Sequence, residues 1–462
     1  MAEYKAYPKY KDSGVEWLGE VPSHWEIHSL KRAVDGCTNG IWGGEPDDQN
    51  DITVLRVADF DRQSFKVSDL KLTTRSIPPK DRGNRLLKQG DLLIEKSGGG
   101  DKTLVGCVVL FDKAYEAVTS NFVAKMSPLD SYDSYFLVYA FSQLYAGKVN
   151  YPSIKQTTGI QNLDSDAYLM EKFCFPPKDE QKNISCFLGH ETAKIDKLIE
   201  KQQQLIELLK EKRQAVISHA VTKGLNPDVP MKDSGVEWLG EVPEHWVRSS
   251  LKYIAKVIDC KHITAEFSDV GIPVASISEV KSWFVDLSTA KLTNEKDYLL
   301  LIDGGRKPVC GDIIYSRNAT VGEAAIVSDN MPDFAMGQDV CLIKTNQKVI
   351  PEFILYTLNS DIIAQQLNLA MVGSTFKRIN VDDIRNFLIA IPPKNEQMLI
   401  VKMLMGKLEK YDRIISNAVD VITYMQERRT ALISAAVTGK IDVRDWVAPD
   451  TQDVEEPQEA TA

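Results

Sequence analysis

The sequence predicts an α/β (α+β) protein in which two mixed α/β domains are separated by two long antiparallel helices that form a coiled coil. Three observations support this class: residues 11–22 recur letter for letter at 232–243, a long helical pattern recurs after 216 positions, and the stretches between these repeats have diverged much more. A chain of 462 residues also exceeds what one hydrophobic core usually fills. We therefore expect a pseudo-twofold tandem repeat of two units, 1–223 and 224–446.

The first long helix is predicted over residues 178–223. A Pro-Pro-Lys-x-Glu-Gln motif at 176–181 favours a helix start, because proline is tolerated there. Apolar residues then recur at helical spacing on a polar background. They are Leu188, Ile195, Leu198, Ile199, Leu205, Ile206, Leu209 and Val216. A helix of roughly 65–70 Å, at about 1.5 Å per residue, is too exposed alone and needs a partner for this stripe.

The partner helix is predicted over residues 394–440, after the same entry motif at 392–397. Residues 427–438 match residues 211–222 at the same distance of 216 positions. The second stripe consists of Leu404, Tyr411, Ile414, Ile415, Val421, Ile422, Met425 and Leu432. Two copies of one amphipathic helix most simply bury their stripes on each other, and a pseudo-twofold axis makes the pair antiparallel. The end of the second helix is then expected near the start of the first module, in a nearly circular layout.

The domain boundaries follow from these repeats. They are 1–25 for the first repeat segment, 26–177 for the first variable module, 178–223 for the first helix, 224–246 for the second repeat segment, 247–393 for the second module, 394–440 for the second helix and 447–462 for an acidic tail. The tail has no apolar period and is predicted to be disordered.

Each variable module is predicted to be a compact mixed α/β domain. Runs rich in β-branched residues predict strands at 51–57, 90–94, 271–277 and 311–315, and helical stretches follow at 135–144 and 351–367. The Gly-Asp pairs at 90–91 and 311–312 lie 221 apart, whereas the Val-Gly pairs at 105–106 and 321–322 lie 216 apart, so copy one has five extra residues between 94 and 104. We place them at 97–101, in a loop that is a candidate for contacts special to copy one.

The repeat segment carries large apolar side chains at Trp17, Leu18, Val21 and Trp25. Core packing is the preferred interpretation for these residues, and a docking site for another subunit is the alternative. Pro22 ends any helical turn in this segment.

Composition narrows the class of protein. The apolar fraction of 43% and the charged fraction of 26% are ordinary for a soluble protein. The sequence has no apolar run of 18 residues and no signal-peptide core at the start. A cytoplasmic location is therefore expected. The seven cysteines are scattered and form no Cys-x-x-Cys, which favours reduced thiols over disulfides or zinc. A net charge of −10 argues against a protein that coats nucleic acid indiscriminately, but not against local DNA-binding patches.

At this point the chain resembles the specificity subunit of type I restriction–modification systems. The resemblance covers nearly the whole chain and lies in the two Gly-Val-Glu-Trp-Leu-Gly-Glu-Val-Pro-x-His-Trp starts, the Gly-Asp strands, residues 373–380 and the two Pro-Pro-Lys-x-Glu-Gln helix entries. It implies that each variable module is a target-recognition domain that reads one half of an asymmetric, interrupted site in double-stranded DNA, and that the paired helices set the gap.

The resemblance also implies partners and cofactors outside this chain. Two methyltransferase subunits, which use S-adenosylmethionine, would dock on the helical frame, and restriction subunits that use ATP and Mg would join them. It suggests adenine as the methylated base. Inserting one heptad into residues 202–210 and into their counterpart is expected to change the gap and leave both half-sites unchanged.

Candidate DNA-contacting residues are Lys and Arg side chains, with one Asn, at predicted strand ends and loops, where they can reach phosphates or guanine edges. They are Arg56, Arg82, Arg85, Lys96, Lys102, Lys155, Arg306, Lys307, Arg317, Asn318, Lys377 and Arg378. For each one, an ordinary solvated surface residue is the alternative. Lys96 and Arg317 occupy equivalent positions after a Gly-Asp strand, and Arg56 matches Ser276. Trp42, in a glycine-rich loop, is expected to pack rather than approach a groove.

A catalytic function is not favoured. The Pro-Pro pairs are preceded by Phe175 and Ile391, whereas an amino-methyltransferase needs Asn or Asp there. Asp91 and Glu95 faintly suggest a metal-nuclease cluster, but copy two has no acid matching Glu95. The chain has no Gly-x-x-x-x-Gly-Lys-Ser/Thr loop, and its six histidines lack zinc spacing. The leading hypothesis is a non-catalytic DNA-recognition subunit, and the alternative is a coiled-coil adaptor for protein partners without direct DNA readout.

Overall fold

The structure, a computed structural model, describes residues 4–99, 103–157, 159–318, 322–370 and 378–448. It divides into two compact units. Unit 1 comprises residues 1–201 and 421–462, and unit 2 comprises residues 202–420. Each unit therefore holds one variable module together with one end of each long helix, rather than one complete sequence repeat. The predicted acidic tail lies outside the described residues from 449 onward.

Unit 1 contains short strands and helices ahead of the first long helix. The strands are β1 (Tyr10–Asp12), β2 (Glu20–Pro22), β3 (Glu26–Ser29), β4 (Thr38–Asn39), β5 (Asp51–Leu55), β6 (Phe60–Asp61), β7 (Lys66–Val67), β8 (Thr73–Ser76), β9 (Leu92–Glu95), β10 (Ser97–Gly98), β11 (Val108–Leu110), β12 (Ala117–Thr119), β13 (Val123–Met126), β14 (Ile154–Thr157), β15 (Ile160–Leu163) and β16 (Lys172–Phe175). The helices are α1 (Pro79–Arg82), α2 (Ser134–Ala146), α3 (Ser165–Tyr168) and the long α4 (Lys178–Lys223), whose last part belongs to unit 2.

Unit 2 repeats this order with fewer strands. They are β17 (Met231–Asp233), β18 (Glu241–Pro243), β19 (Val247–Ser250), β20 (Ala255–Asp259), β21 (Phe267–Ser268), β22 (Ile272–Ala275), β23 (Lys291–Thr293), β24 (Ile313–Ser316), β25 (Ala324–Ile326), β26 (Ala335–Met336), β27 (Val340–Thr345) and β28 (Leu388–Ile391). The helices are α5 (Glu295–Ile302), α6 (Pro351–Leu358), α7 (Asp361–Ala370), α8 (Val381–Arg385) and the long α9 (Lys394–Val437), whose last part belongs to unit 1. The helical stretch expected at 351–367 is thus two helices.

The two modules share one sheet topology. The order β4-β13-β9-β11 in unit 1 corresponds to β20-β27-β24-β25 in unit 2, and β12-β5-β8 corresponds to β26-β22-β23. Among the described residues, unit 1 adds β7 and β6 at the sheet edge and a small extra sheet in the order β10-β15-β14. Ser97, the first residue assigned to the five-residue insertion, lies in β10 but pairs with Asn162 as Asn318 pairs with Arg378 in copy two, so the insertion begins after it. Residues 100–102 lie outside the described part of the chain.

The helix-entry motif has a structural role in both units. Glu180 accepts hydrogen bonds from Trp25 Nε1 (2.9 Å) and the Tyr7 hydroxyl (2.5 Å). Gln181 Oε1 accepts from the Asp133 backbone N–H at the start of α2 (2.9 Å). Unit 2 repeats the second contact, because the Ile350 N–H donates to Gln397 Oε1 (2.8 Å). The motif thus fastens each long helix to its own module and repeat segment.

The repeat segment packs into the core, as the sequence predicts. Trp25, Val21 and Leu18 are buried, whereas Trp17 remains partly exposed and stacks on Phe173 with ring centroids 6.1 Å apart. The end of α9 lies beside this segment in unit 1, since the Tyr10 hydroxyl donates to the Gly439 carbonyl at 3.0 Å. The predicted proximity of the second helix's end to the start of the first module is therefore present.

Within each unit the long helices pair antiparallel. In unit 1, Asp196 of α4 forms an ion pair with Arg429 of α9 at 3.0 Å. In unit 2, Arg213 of α4 forms an ion pair with Asp412 of α9 at 3.1 Å. Asp412 lies 216 positions after Asp196, and Arg429 lies 216 positions after Arg213. The two ion pairs are therefore duplicates, in which α4 supplies the aspartate in unit 1 and the arginine in unit 2. Together with the two modules, these helix pairs confirm the predicted fold class.

The predicted stripe is only partly buried. Ile195 and Ile199 join the core of unit 1, and Leu404 joins that of unit 2. Leu198 and Leu205 are instead exposed, and so are their duplicates Ile414 and Val421. Helical periodicity identified the apolar residues correctly, but it did not show that one line of the stripe faces away from the partner helix. Among the described residues, no helix is long and apolar enough to span a membrane.

Candidate nucleic-acid interface

In unit 1, Asn39 links two of the predicted basic residues. The Lys96 ammonium donates to Asn39 Oδ1 at 2.7 Å, and Arg85 Nε donates to the Asn39 carbonyl at 3.2 Å. Asn39 ends β4, and Lys96 directly follows β9. Because asparagine is neutral, it holds the Lys96 side chain without cancelling its charge.

Unit 2 builds the same arrangement from different residues. Arg306 Nε donates to the Asp259 carbonyl at 2.8 Å, as Arg85 does to Asn39. Arg317, the equivalent of Lys96, forms an ion pair of 2.8 Å with the Asp259 carboxylate, and its side chain is only 4% exposed. Here the partner is charged, so the Arg317 guanidinium is both neutralised and buried.

The backbone establishes that these positions are equivalent. The Lys96 N–H donates to the Phe122 carbonyl at 2.8 Å, and the Arg317 N–H donates to the Asp339 carbonyl at 2.9 Å. The strand pairs Val123–Glu95 and Val340–Ser316 show the same register. One backbone framework therefore presents a neutralised arginine in one module and a lysine with a neutral partner in the other.

A polar strip continues from Lys96 onto the extra sheet of unit 1. The Ser97 hydroxyl donates to Asn162 Oδ1 at 2.6 Å, and Asn162 pairs across the strands with Lys155. Lys155 is largely exposed and forms an ion pair with Asp164 at 2.9 Å. In unit 2, an isolated bridge joins Asn318 to the exposed Arg378, the positions that correspond to Ser97 and Asn162.

The remaining predicted residues are bonded to other partners. Arg82 is held by the carbonyls of Ile77 and Asn50, both at 2.8 Å, and Lys307 forms an ion pair with Asp333 at 2.8 Å. Arg56 pairs with Asp59 at 3.0 Å. Lys102 and Lys377 lie outside the described residues. Sequence reasoning did not single out Asn39 or Asn162, whereas Ser97 lies in the loop predicted to make contacts special to copy one. The distant partner of an uncharged polar residue cannot be read from the sequence alone.

Asp91 and Glu95, the faint nuclease candidates, have structural partners. Asp91 accepts from the Ser127 hydroxyl at 2.6 Å. Glu95 is buried and forms an ion pair with Arg62 at 2.8 Å. Burial raises the pKa of the Glu95 carboxyl, and Arg62 opposes that shift. These contacts describe a core ion pair rather than a metal-binding face.

A mixed donor group does form at Asp259, Cys260 and His262, whose ligand atoms lie within 4.8 Å of one another. A cation there would compete with Arg317 for the Asp259 carboxylate. Burial raises the pKa of the Cys260 thiol to about 11, so the thiolate that a metal requires is disfavoured. The donor set therefore fits a metal ion poorly.

Comparisons with known proteins agree with this architecture. Residues 243–418 match the family described as the type I restriction modification DNA specificity domain. The putative type I restriction enzyme MjaX specificity subunit of Methanocaldococcus jannaschii is 23% identical over 441 residues, which cover 92% of this chain and 96% of that protein. The type I restriction enzyme EcoKI specificity subunit of Escherichia coli K12 is 21% identical over 407 residues, which cover 86% and 84%.

A solved structure shares the fold. It is a chain from work on complex assembly and conformational transition of the type I R-M system, which aligns with a TM-score of 0.69 at 13% identity over 91% of this chain and 99% of that one. The domain match, the relatives of similar length and the repeated modules all agree with the resemblance found in the sequence. Residues 243–418 thus match a type I restriction modification DNA specificity domain, and the chain over most of its length is similar to specificity subunits of type I restriction enzymes.

Proposed function

We propose that this chain is the non-catalytic DNA sequence-specificity subunit of a type I restriction–modification complex, and that each module reads one half of a bipartite, asymmetric site. The observation that carries this proposal is the shared framework at Lys96 and Arg317. Equivalent strand ends hold different side chains there, opposite Asn39 in one module and Asp259 in the other. A common scaffold with different residues at equivalent positions is what two unlike half-sites require.

The charges assign different roles to the two groups. Lys96 keeps its positive charge and lies beside Ser97 and Asn162, which offer hydrogen-bonding groups suited to base edges or phosphates. Arg317 is held inside unit 2, where it positions the Asp259 loop. In that module the exposed Arg378 is the better placed of the predicted cations for contact with DNA.

The paired helices are proposed to set the gap between the half-sites. Each helix is continuous for more than forty residues, and its entry motif fastens its start to the module that precedes it. The other end of each helix is bonded to the other module, through Arg429 of α9 in unit 1 and Gln214 of α4 in unit 2. Two linked readers gain affinity because the second contact becomes intramolecular, provided that their spacing matches the site.

Methyltransferase subunits are the proposed partners of the helices. Unit 1 exposes the apolar side chains of Leu198 and Val421, and unit 2 exposes their duplicates Ile414 and Leu205. Each unit thus presents the same pair of exposed apolar positions, one from each helix, which fits two copies of one partner. S-adenosylmethionine would be bound by these partners, and ATP and Mg by restriction subunits that join them.

An electrophoretic shift of the chain with its cognate methyltransferase, measured across salt concentrations, tests this function. Sequence-selective binding with a steep salt slope is expected, because phosphate contacts release counterions. The net charge of −10 favours the alternative of a protein adaptor without DNA readout. Binding that ignores both sequence and salt would support that alternative and contradict the proposal.

Alanine substitutions at Lys96 and Arg317 are expected to act differently. Lys96→Ala should leave the free energy of unfolding within about 0.5 kcal/mol of wild type. It should reduce the slope of the logarithm of the binding constant against the logarithm of salt concentration by about 0.9, the value for one lost phosphate contact. Arg317→Ala should cost about 2–4 kcal/mol, because it removes the buried guanidinium and leaves the Asp259 carboxylate with the exposed His262 at 3.3 Å. Urea unfolding and binding titrations at several salt concentrations measure both effects. Equal stability losses in the two variants would contradict the assigned roles.

A further inference from the structure

A cavity of about 500 Å³ opens on the first module, next to the strip that contains Lys96. Its lining residues are Trp42, Arg56, Val57, Ala58, Ser97, Gly98, Ser120, Asn121 and Phe122. Ser97 belongs both to this lining and to the polar strip. The cavity is therefore continuous with the surface proposed to face DNA, and its volume lies in the range of about 300–1,000 Å³ that is typical of small-molecule sites.

Two aromatic side chains contribute to the walls. The Arg75 guanidinium lies 4.5 Å from the centroid of the Trp42 ring, a cation–π contact that fixes this ring. Phe122 is 54% exposed and lies at the same cavity. The lining thus offers aromatic surface that has not been covered by the module's own core.

The Ser120 hydroxyl is a second, independent sign of a ligand. Ser120 is 1% exposed and lines the cavity, yet among the described residues its hydroxyl has no hydrogen-bond partner. Buried hydroxyls are almost always bonded, because an unmade hydrogen bond leaves a desolvated polar group uncompensated. Asn121, which is exposed at the same cavity, adds an amide that both donates and accepts.

We propose that this cavity receives one nucleobase drawn out of the stack in the half-site that the first module reads. The inference rests on the proposed function. A base has flat π-faces for Trp42 and Phe122 and a polar edge for the Ser120 hydroxyl and the Asn121 amide. Arg56 lies at the cavity with its charge balanced by Asp59, which suits a neutral ligand better than a phosphate.

The second module lacks these features at the equivalent positions. The backbone register that relates Phe122 to Asp339 also relates Ser120 to Gly337 and Asn121 to Gln338. Gly337 has no hydroxyl, and Asp339 has no ring and bonds instead to Asn318 at 3.1 Å. The pocket therefore gives the first module a mode of reading that the second module does not share.

Mismatched duplexes test the inference, with the chain in its complex with the cognate methyltransferase. A base that leaves the stack binds more tightly when its pair is already broken, because the protein no longer supplies the unpairing free energy. On the target defined by methylation sequencing, we expect one mismatched position in the first half-site to tighten binding about tenfold. Ser120→Trp, which fills the cavity, and Phe122→Ala, which removes a wall, should each reduce that gain to less than about twofold.

Phe267→Ala is the matched control, because Phe267 is also an exposed phenylalanine ring but lies in the second module. It should leave the tenfold gain unchanged. If Ser120→Trp fails to fold, the result for Phe122→Ala alone tests the pocket. The Phe122 side chain is half exposed, so its removal is expected to leave the fold intact. If all three variants still bind the mismatched duplex about tenfold more tightly, the methyltransferase rather than this cavity holds the everted base. That result would contradict the proposed pocket.

Two other outcomes separate this inference from the proposed function. Selective binding of the matched target without any mismatch gain would overturn the pocket alone. Binding that does not discriminate the target from a scrambled duplex would overturn the proposed function and the pocket with it.

Discussion

Gly439→Ala is expected to destabilise unit 1 by about 3–5 kcal/mol. Gly439 follows the end of α9 with φ +73°, a conformation that L side chains adopt only at a cost. A Cβ at this position would overlap the Pro22 ring and lie 3.3 Å from Trp25 Cη2. The backbone at the end of α9 is therefore packed directly against the Pro22 ring, beside the buried Trp25.

Gly224→Ala is the matched control, because Gly224 follows α4 in unit 2 with φ +77°. Its added Cβ would lie 3.0 Å from Glu396 Oε1 and 3.2 Å from Trp246 Cζ2, contacts that small shifts relieve. We expect this variant to lose about 1–2 kcal/mol. Urea unfolding followed by tryptophan fluorescence measures both variants. A loss for Gly439→Ala no greater than that for Gly224→Ala would contradict the proposed close packing.

Inserting a heptad into both long helices is expected to change the recognised gap. Seven residues placed after Gln204 and after Asp420, positions that are duplicates of each other 216 apart, preserve the helical phase of each stripe. At about 1.5 Å per residue, they add about 10 Å, which corresponds to at most about three base pairs. Both half-sites should be unchanged. Affinity for the original site should fall by about 10²–10⁴-fold, because only one module can then engage it at a time.

The same heptad in α4 alone is the control for this insertion. It shifts one stripe against the other and should lower stability, because the ion pairs Asp196–Arg429 and Arg213–Asp412 cannot both form. Footprinting of the double-insertion variant on targets with gaps of different lengths measures the effect. An unchanged gap preference would contradict the proposed role of the helices.

Much of the fold could be predicted because it is repeated. The duplicated entry motif placed the start of each long helix, and α4 runs over Lys178–Lys223 as expected. The second helix ends at Val437 rather than at residue 440, because Gly439 adopts a left-handed conformation. The strand predicted at 51–57 is Asp51–Leu55, shortened where Val57 begins a short helical turn. Boundaries of this kind depend on capping contacts that periodicity does not reveal.

The candidate site was less predictable, because its chemistry depends on partners that are distant in sequence. Lys96 and Arg317 have equivalent positions in the repeat, but only the structure shows that Asn39 faces one and Asp259 the other. Nor could the sequence place Trp42, Ser120 and Phe122 around one cavity. Ser120 and Phe122 share the turn between β12 and β13, but Trp42 comes from a loop almost eighty positions earlier, and no spacing rule connects the two segments.

The most direct test of the central claim is single-molecule methylation sequencing of the host with and without this gene. We predict one methylated motif that depends on the gene and consists of two unlike half-sites separated by a fixed gap. Replacing residues 247–393 with the second module of a relative should change one half-site only. Methylation that is unaffected by loss of the gene, or a single continuous motif, would contradict the account.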